Sequence, residues 1–286
     1  MTDRTTCKEL EQRVKALEKK IAENQLIIDK LRRHNKNEKY DREPQGYHNS
    51  IQLARMATIL ALAKLAEYRD DDTGIHLERI REYTKIIAEE MAKKPNYIGY
   101  ITKEYIDDIY HSSILHDIGK VGIPDAILLK PGKLTPEEFE LMKTHSTLGG
   151  DVLTVIDAGI EGQTFLTLAK EIAYYHHERW NGTGYPKGLS GENIPLSARI
   201  VALPDVYDAL TSKRVYKNII SHEKAKEIII NEKGKHFDPD VVDSFLARED
   251  DFKMICEKLH HEDYYTGHGK RKKASNRFGC PELKLI

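Results

Sequence analysis

The first part of the chain carries apolar side chains at alternating steps of three and four, with lysine and glutamate between them. These positions are Cys7, Leu10, Val14, Leu17, Ile21, Ile28 and Leu31, and the polar Asn24 lies in the same row. Such a row is typical of a coiled-coil seam, in which an asparagine weakens the pairing and fixes its register. Residues 1–36 are therefore predicted to form a coiled-coil helix that makes the protein a homodimer. A single solvated amphipathic helix is the alternative.

The pattern changes after this segment. Residues 37–50 have no periodicity and include a proline and a glycine, which predicts a linker. From residue 51 the apolar positions follow a helical period, and alternating β patterns are almost absent. After a first buried helix that starts near residue 51, further helices are predicted at 76–93, 102–117, 136–156, 163–178, 196–212, 222–232 and 239–247. The chain is thus expected to be all-α, with a helical domain at 51–262 and a basic tail at 263–286.

Composition narrows the classes of function. The 286 residues hold 45 Lys and Arg against 46 Asp and Glu, so no overall charge attracts the chain to nucleic acid or to a membrane. No apolar run approaches the roughly 20 residues that span a bilayer, and the N-terminus lacks a signal-peptide core. Three well-separated cysteines do not indicate a disulfide framework. We expect a cytoplasmic protein without membrane or nucleic-acid partners, and we read the basic tail as a solvated terminus.

Residues able to bind metal recur at the predicted helix ends of the domain. They are Asp72, His76, His116, Asp117, His145, His176, His177 and Asp205. Neutral imidazoles with carboxylates suit iron, manganese, zinc or nickel, and the lack of nearby cysteine disfavours a structural zinc site. The Asp117 carboxylate has two oxygens and can bridge two cations, an arrangement that suits phosphoryl displacement. Taken singly, the His116-Asp117 pair is as compatible with a hydrogen-bonded core dipeptide as with a metal site, and a lone His145 is more often a helix-surface residue.

Three stretches carry a family resemblance. They read HDIGKVGIPDAILLKPGKLTPEEFELMKTHSTLGGDVL, AYYHHERWNGTGYPKGLSGENIPLSARIVAL and DVYDALTSKRVYK. Together they resemble the HD-GYP domain of bacterial cyclic di-GMP phosphodiesterases, within the HD superfamily of metal-dependent phosphohydrolases. The resemblance spans about 51–249 and implies an HD-domain helical bundle. It also implies hydrolysis of cyclic di-GMP to pGpG, GMP or both by a metal-bound hydroxide, with two or three divalent ions, of which iron and manganese are the most expected.

The resemblance also implies roles for single residues. Asp117 would bridge the metals, with His145, His176 and His177 around one ion and His116 and Asp205 at its neighbour. Asp72 and His76 would hold a third ion. The substrate-binding residues would be Lys120, Gly184, Tyr185, Arg214 and Lys217. Asp117, Lys120 and Asp208 are the expected catalytic set, in which Asp208 either orients a ligand or accepts a proton. Tyr185 either stacks a guanine or closes its loop.

The sequence departs from the family pattern at three positions. Asp72 replaces the usual glutamate, Asn181 replaces an aspartate, and Pro204 precedes the metal-binding Asp205. A proline within a helix removes one backbone donor and costs about 3 kcal/mol or more. Two alternatives to the cyclic di-GMP phosphodiesterase therefore stay open. One is a phosphohydrolase for another cyclic dinucleotide or nucleotide, and the other is a weakly catalytic domain that acts as a nucleotide sensor or interaction module.

Overall fold

The computed structural model describes residues 57–67, 75–158, 165–212 and 220–266. These residues belong to one compact unit that begins at Met56. The predicted coiled coil, 1–36, lies outside the described residues, as do the linker at 37–50 and most of the tail. Within the described part there is no β-strand, only two isolated bridges, which confirms the all-α prediction. None of its helices is both long enough and apolar enough to pass through a membrane.

Ten helices make up the described unit. The first, α1, covers residues 57–67. The others are α2 Ile75–Met91, α3 Lys103–Ser112, α4 Asp125–Leu128, α5 Pro136–Asp157, α6 Phe165–Tyr175, α7 Leu196–Thr211, α8 His222–Asn231, α9 Pro239–Ala247 and α10 Glu249–Thr266. Most bounds agree with the sequence predictions to within two or three residues. Helix α10 continues past residue 262, where the domain was predicted to end. Its first turn is acidic, so the apolar periodicity did not predict this helix.

Local sequence explains where several helices begin. The Thr135 hydroxyl accepts from the Glu138 amide at 3.3 Å, and the Glu138 carboxylate accepts from the Thr135 amide at 2.7 Å, a complete capping box for α5. Asp238 caps α9 in a similar way, with a proline at the first helical position. These caps satisfy backbone amides that have no partner within the helix.

Two apolar clusters are buried within the bundle. The larger cluster joins α2, α7, α8, α9 and α10, with Tyr83, Tyr207 and Phe252 fully buried at its centre. The smaller cluster joins α1, the segment 113–115, α5 and α6. Full burial of one large apolar side chain contributes roughly 1.5–3 kcal/mol, so both clusters stabilise the packing of their helices. Helix α2, which carries His76, contributes to both clusters through Tyr83 and Leu77.

The predicted helix 102–117 is shorter in the structure. It ends at Ser112, whose hydroxyl lies 2.7 Å from the Asp108 carbonyl and 2.6 Å from the Phe165 carbonyl. Two 3-10 turns follow, Ser113–Leu115 and Ile118–Gly122, and His116 and Asp117 lie between them. The turn must pack closely on α5, because a Cβ at Gly119 would lie 1.9 Å from the His145 carbonyl oxygen. This close approach brings Asp117 next to the histidine of α5.

Candidate metal centre

Asp117 lies at the centre of a buried group of histidines from three parts of the chain. Its Oδ1 is 3.2 Å from His145 Nε2, on α5, and 3.6 Å from His176 Nε2, which follows the end of α6. Potential ligand atoms of Asp117, His145, His176 and His177 all lie within 4.8 Å of one another. We call these four residues site A. The sequence predicted the same four residues as ligands of one ion.

The histidines of this region are oriented by backbone carbonyls. Nδ1 of His116 donates to Ser113 O at 2.9 Å, that of His145 to Met142 O at 2.7 Å, and that of His176 to Ile172 O at 2.9 Å. Because a carbonyl only accepts, Nδ1 donates in each pair, and in the neutral form of such a ring Nε2 has the lone pair that a metal needs. Metal-binding histidines are held by outer partners in this way.

The atoms that face Asp117 lack hydrogen-bond partners. Within the described part of the chain, Nε2 of His116, His145 and His176 and Oδ1 of Asp117 are buried without one. Buried polar atoms are almost always paired, since an unpaired group costs about 1–3 kcal/mol. Nitrogen and carboxylate donors that converge in this way fit a divalent transition metal. Site A therefore has the donor set and the orientation that a metal ion needs.

A second buried group lies beside site A and contains a residue that the sequence analysis missed. It comprises Glu67 at the end of α1, His76 on α2, and His116, with ligand atoms within 4.8 Å of one another. We call these three residues site B. His116 Nε2 is 3.3 Å from Asp117 Oδ2, whereas Oδ1 faces site A, so the two Asp117 oxygens point toward different sites. The sequence feature that could have indicated Glu67 is that it is a carboxylate on an otherwise apolar helix face.

His76 is held by a buried ion pair. Asp208 Oδ2 accepts from His76 Nδ1 at 2.7 Å, and both carboxylate oxygens accept from the Arg79 guanidinium, at 2.5 and 3.0 Å. All three side chains are buried. Arg79 and His76 hold the pKa of Asp208 well below its usual range, against the opposing effect of burial. Asp208 thus holds the candidate ligand His76 through Nδ1, the nitrogen that faces away from site B. The sequence analysis did not identify Arg79.

Asp205 reaches the same region despite the proline before it. Helix α7 continues through Pro204, and Asp205 Oδ1 lies 3.9 Å from His116 Nε2. Asp205 also lines the cavity described below. Pro204 cannot donate a hydrogen bond to Ile200, but the buried packing of α7 keeps the helix intact. Pro204 therefore does not turn the Asp205 side chain away from His116.

The pKa values of His176 and His177 in site A and of His116 in site B are shifted in opposite directions. Burial lowers the pKa of His176, and burial together with the neighbouring imidazoles lowers that of His177 well below its usual range. These two rings are neutral, as metal ligands must be. Burial opposes charge on His116 as well, but the Asp117, Asp205 and Glu67 carboxylates raise its pKa to about 9. The anionic surroundings of His116 would stabilise a divalent cation in the same way.

A cavity of about 320 Å³ opens onto Asp117 and site A. Lys120 lines it, and its ammonium is 2.8 Å from Asp117 Oδ2. The remaining lining is mixed polar and apolar, formed by Asp117, Met142, His145, His177, Tyr185, Asp205, Val206, Ala209 and Leu210. Tyr185 stacks on His177 with ring centroids 4.7 Å apart. The Lys120 side chain, the Tyr185 ring and site A therefore all border the same cavity.

The loop after His177 is folded by Glu178, another residue absent from the sequence predictions. Its buried carboxylate accepts from the amides of Lys187 at 2.7 Å and Leu189 at 3.1 Å. Gly184 is required where the loop returns, since a Cβ there would lie 2.4 Å from the Arg179 nitrogen. Asn181 Oδ1 accepts from the amide and hydroxyl of Thr183 at 3.1 and 2.7 Å. These contacts hold Tyr185 over His177.

Three of the predicted site residues cannot be located in the same way. Asp72, expected beside His76, and the two cations Arg214 and Lys217 lie outside the described residues. Their roles stay predictions. The other predicted ligands are brought together around Asp117, with Lys120 and Tyr185 at the cavity.

Comparisons with known proteins agree with this geometry. A cyclic di-GMP phosphodiesterase of Vibrio cholerae is 53% identical over 212 residues, which are 74% of this chain and 43% of that protein. A cyclic di-GMP phosphodiesterase of Thermotoga maritima is 42% identical over 223 residues, 78% of this chain and 57% of that protein. A 3'3'-cGAMP-specific phosphodiesterase of V. cholerae is 39% identical over 198 residues, 69% of this chain and 35% of that protein.

The chain spans about half the length of these relatives. Among solved structures, a cyclic GMP-AMP specific phosphodiesterase of V. cholerae (V-cGAP3) matches with a TM-score of 0.50 and 19% identity. The match covers 72% of this chain and 53% of that one, and at this identity it supports the fold alone. The model of the HD domain matches residues 60–241, most of the described unit. The chain therefore belongs to the HD domain family.

Proposed function

We propose that this protein is a metal-dependent phosphodiesterase that hydrolyses cyclic di-GMP to pGpG, GMP or both. The observation that carries the proposal is the position of Asp117, whose two oxygens face site A and site B at the floor of a cavity that Lys120 also lines. Relatives 53% and 42% identical to this chain carry the name cyclic di-GMP phosphodiesterase. Because the chain spans about half of their length, their activity is a proposal for this chain.

In this proposal, site A holds one divalent ion through Asp117, His145, His176 and His177. A second ion would be held by His116, Asp117 and Asp205, and Asp72 with His76 would hold a third ion where one binds. Iron or manganese is the proposed identity, because imidazole and carboxylate donors suit both. When bound, such ions lower the pKa of water and neutralise charge that develops on a phosphate.

The residues of this chain act on the rest of the substrate. Lys120 binds a non-bridging phosphate oxygen at the cavity, and Arg214 and Lys217 are proposed to bind other phosphate oxygens. Tyr185, held against His177 by the loop that Gly184 closes, offers a ring on which a guanine stacks. In the first hydrolysis, water adds to phosphorus and one P–O ester bond breaks, which opens the ring and leaves linear pGpG with a phosphate at one end and a hydroxyl at the other. The same step at the second phosphodiester gives two molecules of GMP.

Asp208 is proposed as a positioning residue and not as a proton acceptor. It is 1% exposed and its oxygens are occupied by His76 and Arg79. The residues that line the cavity do not include it. Of the two roles that the sequence left open for Asp208, orientation of a ligand is the one that its contacts favour.

A second candidate substrate is 3'3'-cGAMP. A relative named a 3'3'-cGAMP-specific phosphodiesterase is 39% identical over 198 residues. The two dinucleotides share their phosphodiester chemistry and differ in one base, so the metal residues do not separate them. The sensor alternative is less favoured, since Asp205 faces His116 and Asn181 satisfies its own loop. The cytoplasmic location stays a prediction from the sequence.

The proposal is tested by incubating protein reconstituted with Fe²⁺ or Mn²⁺ with cyclic di-GMP and, separately, with 3'3'-cGAMP. We expect pGpG or GMP to accumulate, with cyclic di-GMP hydrolysed faster. Chromatography of the products distinguishes the outcomes. Faster hydrolysis of 3'3'-cGAMP would change the substrate, and binding of both dinucleotides without any hydrolysis would favour the sensor.

The Lys120→Ala variant gives a sharper test of the cavity. Loss of one preorganised group that stabilises developing charge typically reduces kcat by about 100–1,000-fold, and we expect a reduction of that size. Metal content should change little, because an ammonium does not bind metal. The matched control is Lys133→Ala, which alters an exposed lysine outside the cavity. Wild-type turnover in Lys120→Ala would contradict the phosphate role.

The homodimer is proposed from the sequence alone. Deletion of residues 1–36 should shift the protein toward a monomer, since the a/d seam supplies the pairing surface that we identify. Analytical ultracentrifugation of the two proteins at equal concentration provides the measurement. A dimer of unaltered stability after the deletion would mean that the HD domain pairs without the coiled coil.

A further inference from the structure

A second lysine lies beside the Tyr185 ring at the edge of the cavity. Lys143 Nζ is 5.6 Å from the centroid of the Tyr185 ring and 5.1 Å from the centroid of the Phe139 ring. These two rings meet edge to face, with centroids 6.4 Å apart. Phe139 and Lys143 are one helical turn apart on α5, so they lie on the same helix face. The ammonium is therefore attracted to two aromatic rings, one of which lines the cavity.

The Lys143 ammonium is available to a ligand, although it has a protein partner. It forms an ion pair with Glu140 at 2.6 Å, and the Glu140 side chain is 70% exposed. An exposed ion pair of this kind contributes little, because water screens both charges. Lys120 differs, since its partner is the buried carboxylate of Asp117. Exchange of the Glu140 carboxylate for acceptor atoms on a ligand is therefore easy for Lys143.

The two purine bases present different atoms to an ammonium in this position. Guanine has two acceptors side by side, O6 and N7, whereas adenine has N7 beside an amino group that donates. A lysine ammonium has only donors and no acceptor. It can bind both atoms of guanine, but on adenine it faces another donor. A purine that stacks on Tyr185 brings its edge within reach of an ammonium so close to the centre of that ring.

We propose that Lys143 determines base specificity by binding O6 and N7 of the guanine that stacks on Tyr185. The guanine on this ring comes from the proposed function, on which the role of Lys143 rests. The candidate metal ligands and Lys120 act on the phosphodiester, which is the same in every cyclic dinucleotide, so they do not select a base. Phe139 and Glu140 hold the ammonium beside Tyr185 before the substrate binds.

The test compares wild type with Lys143→Met on cyclic di-GMP and on cyclic di-AMP, which contains no guanine. Methionine keeps the length of the side chain and removes its charge. A pair of hydrogen bonds to one base typically sets a preference of about 5- to 150-fold. We expect kcat/KM of Lys143→Met for cyclic di-GMP to fall by a factor in this range, mainly through a higher KM. The value for cyclic di-AMP should stay the same.

A glutamine at this position should change the preference and not only weaken it. The amide of glutamine donates to N7 of adenine and accepts from its amino group. Lys143→Gln should therefore raise kcat/KM for cyclic di-AMP above that of wild type. The matched control is Lys93→Met, because Lys93 forms an ion pair of the same spacing and length, with Glu90 at 2.6 Å, and is not among the residues that line the cavity. It should behave like wild type.

Two other roles for Lys143 predict different results. If Lys143 binds phosphate, or only supports the Tyr185 ring, Lys143→Met would lose the same factor on both dinucleotides, and this would overturn the base contact. Wild-type kinetics in both Lys143→Met and Lys143→Gln would overturn it as well, because a solvated lysine has no effect on either substrate.

Equilibrium binding separates this role from the proposed function. Calorimetry with protein reconstituted with Mn²⁺ uses the phosphorothioate analogues of both dinucleotides, in which sulfur replaces a non-bridging oxygen and slows hydrolysis. Weaker binding of the guanine analogue alone by Lys143→Met would support the base contact, even if wild type hydrolyses neither natural dinucleotide, which would refute the phosphodiesterase activity. Hydrolysis of cyclic di-GMP by wild type, together with equal binding of the guanine analogue by wild type and Lys143→Met, would refute the role of Lys143 and leave the activity in place.

Discussion

The Asp117→Ala variant is expected to lose most of its bound metal and to hydrolyse cyclic di-GMP about four orders of magnitude more slowly than wild type, the usual scale for removal of a central catalytic group. Asp117 Oδ1 faces His145 and His176, and Oδ2 faces His116. Removing the carboxylate therefore takes one ligand from site A and the negative charge nearest His116. No other carboxylate is among the four residues of site A, so the remaining histidines cannot replace its charge.

Elemental analysis and product chromatography on the same preparation measure both effects. Asp117→Asn separates shape from charge, since the amide keeps the volume but is a weaker ligand, and it should lose metal almost as completely. The matched control is Asp243→Ala, which removes an exposed aspartate paired with Lys233 on the surface. Wild-type metal content in Asp117→Ala would show that Asp117 is not a shared ligand and would contradict its assignment to site A and to the second ion at His116.

The sequence predicted the all-α fold because apolar periodicity is a short-range pattern. Apolar periodicity located the helices, and α5 and α9 agree with the predictions to within one residue. His145, His176 and His177 were proposed as ligands because their motifs matched a known family, and the structure brings them together beside Asp117. Here, a local pattern carried enough information to assign both the element and the chemistry.

The residues that the sequence missed depend on contacts between distant parts of the chain. Arg79 is 129 positions from Asp208, and its burial follows from the packing of α2 against α7. Glu67 is one of many glutamates in the chain, and only its burial beside His76 distinguishes it. Glu178 follows the two histidines directly, but its role depends on amides nine and eleven residues later. No periodicity or motif reports such long-range pairing.

The error at 102–117 has a similar cause. Helical periodicity continued to residue 117, yet α3 ends at Ser112, and His116 and Asp117 lie between 3-10 turns. Two tertiary contacts outweigh local preference there. The Ser112 hydroxyl is near the Phe165 carbonyl, and Gly119 packs directly on the backbone of α5. The break in the helix is what allows the Asp117 oxygens to face both sites.

The buried Asp208–Arg79 pair is expected to be essential to the stability of the metal-free protein. Asp208→Ala would leave the Arg79 guanidinium, which is 2% exposed, without the carboxylate that accepts from two of its nitrogens. Removal of one partner of a buried ion pair typically costs about 3–5 kcal/mol. Urea unfolding of the metal-free variant measures the loss. The control Asp243→Ala breaks an exposed pair and should cost about 1 kcal/mol or less.

A double variant distinguishes the ion pair from simple packing. Arg79→Met combined with Asp208→Leu removes both charges and fills a similar volume, so it should be more stable than Asp208→Ala. It should still bind metal less tightly, because His76 Nδ1 loses the carboxylate that orients it, and loss of such an outer partner typically weakens metal affinity by about 10–100-fold. If Asp208 is instead a proton acceptor, Asp208→Ala would keep wild-type metal affinity and unfolding free energy while it lost hydrolysis. That combination would return Asp208 to the catalytic set and refute its role as the support of His76.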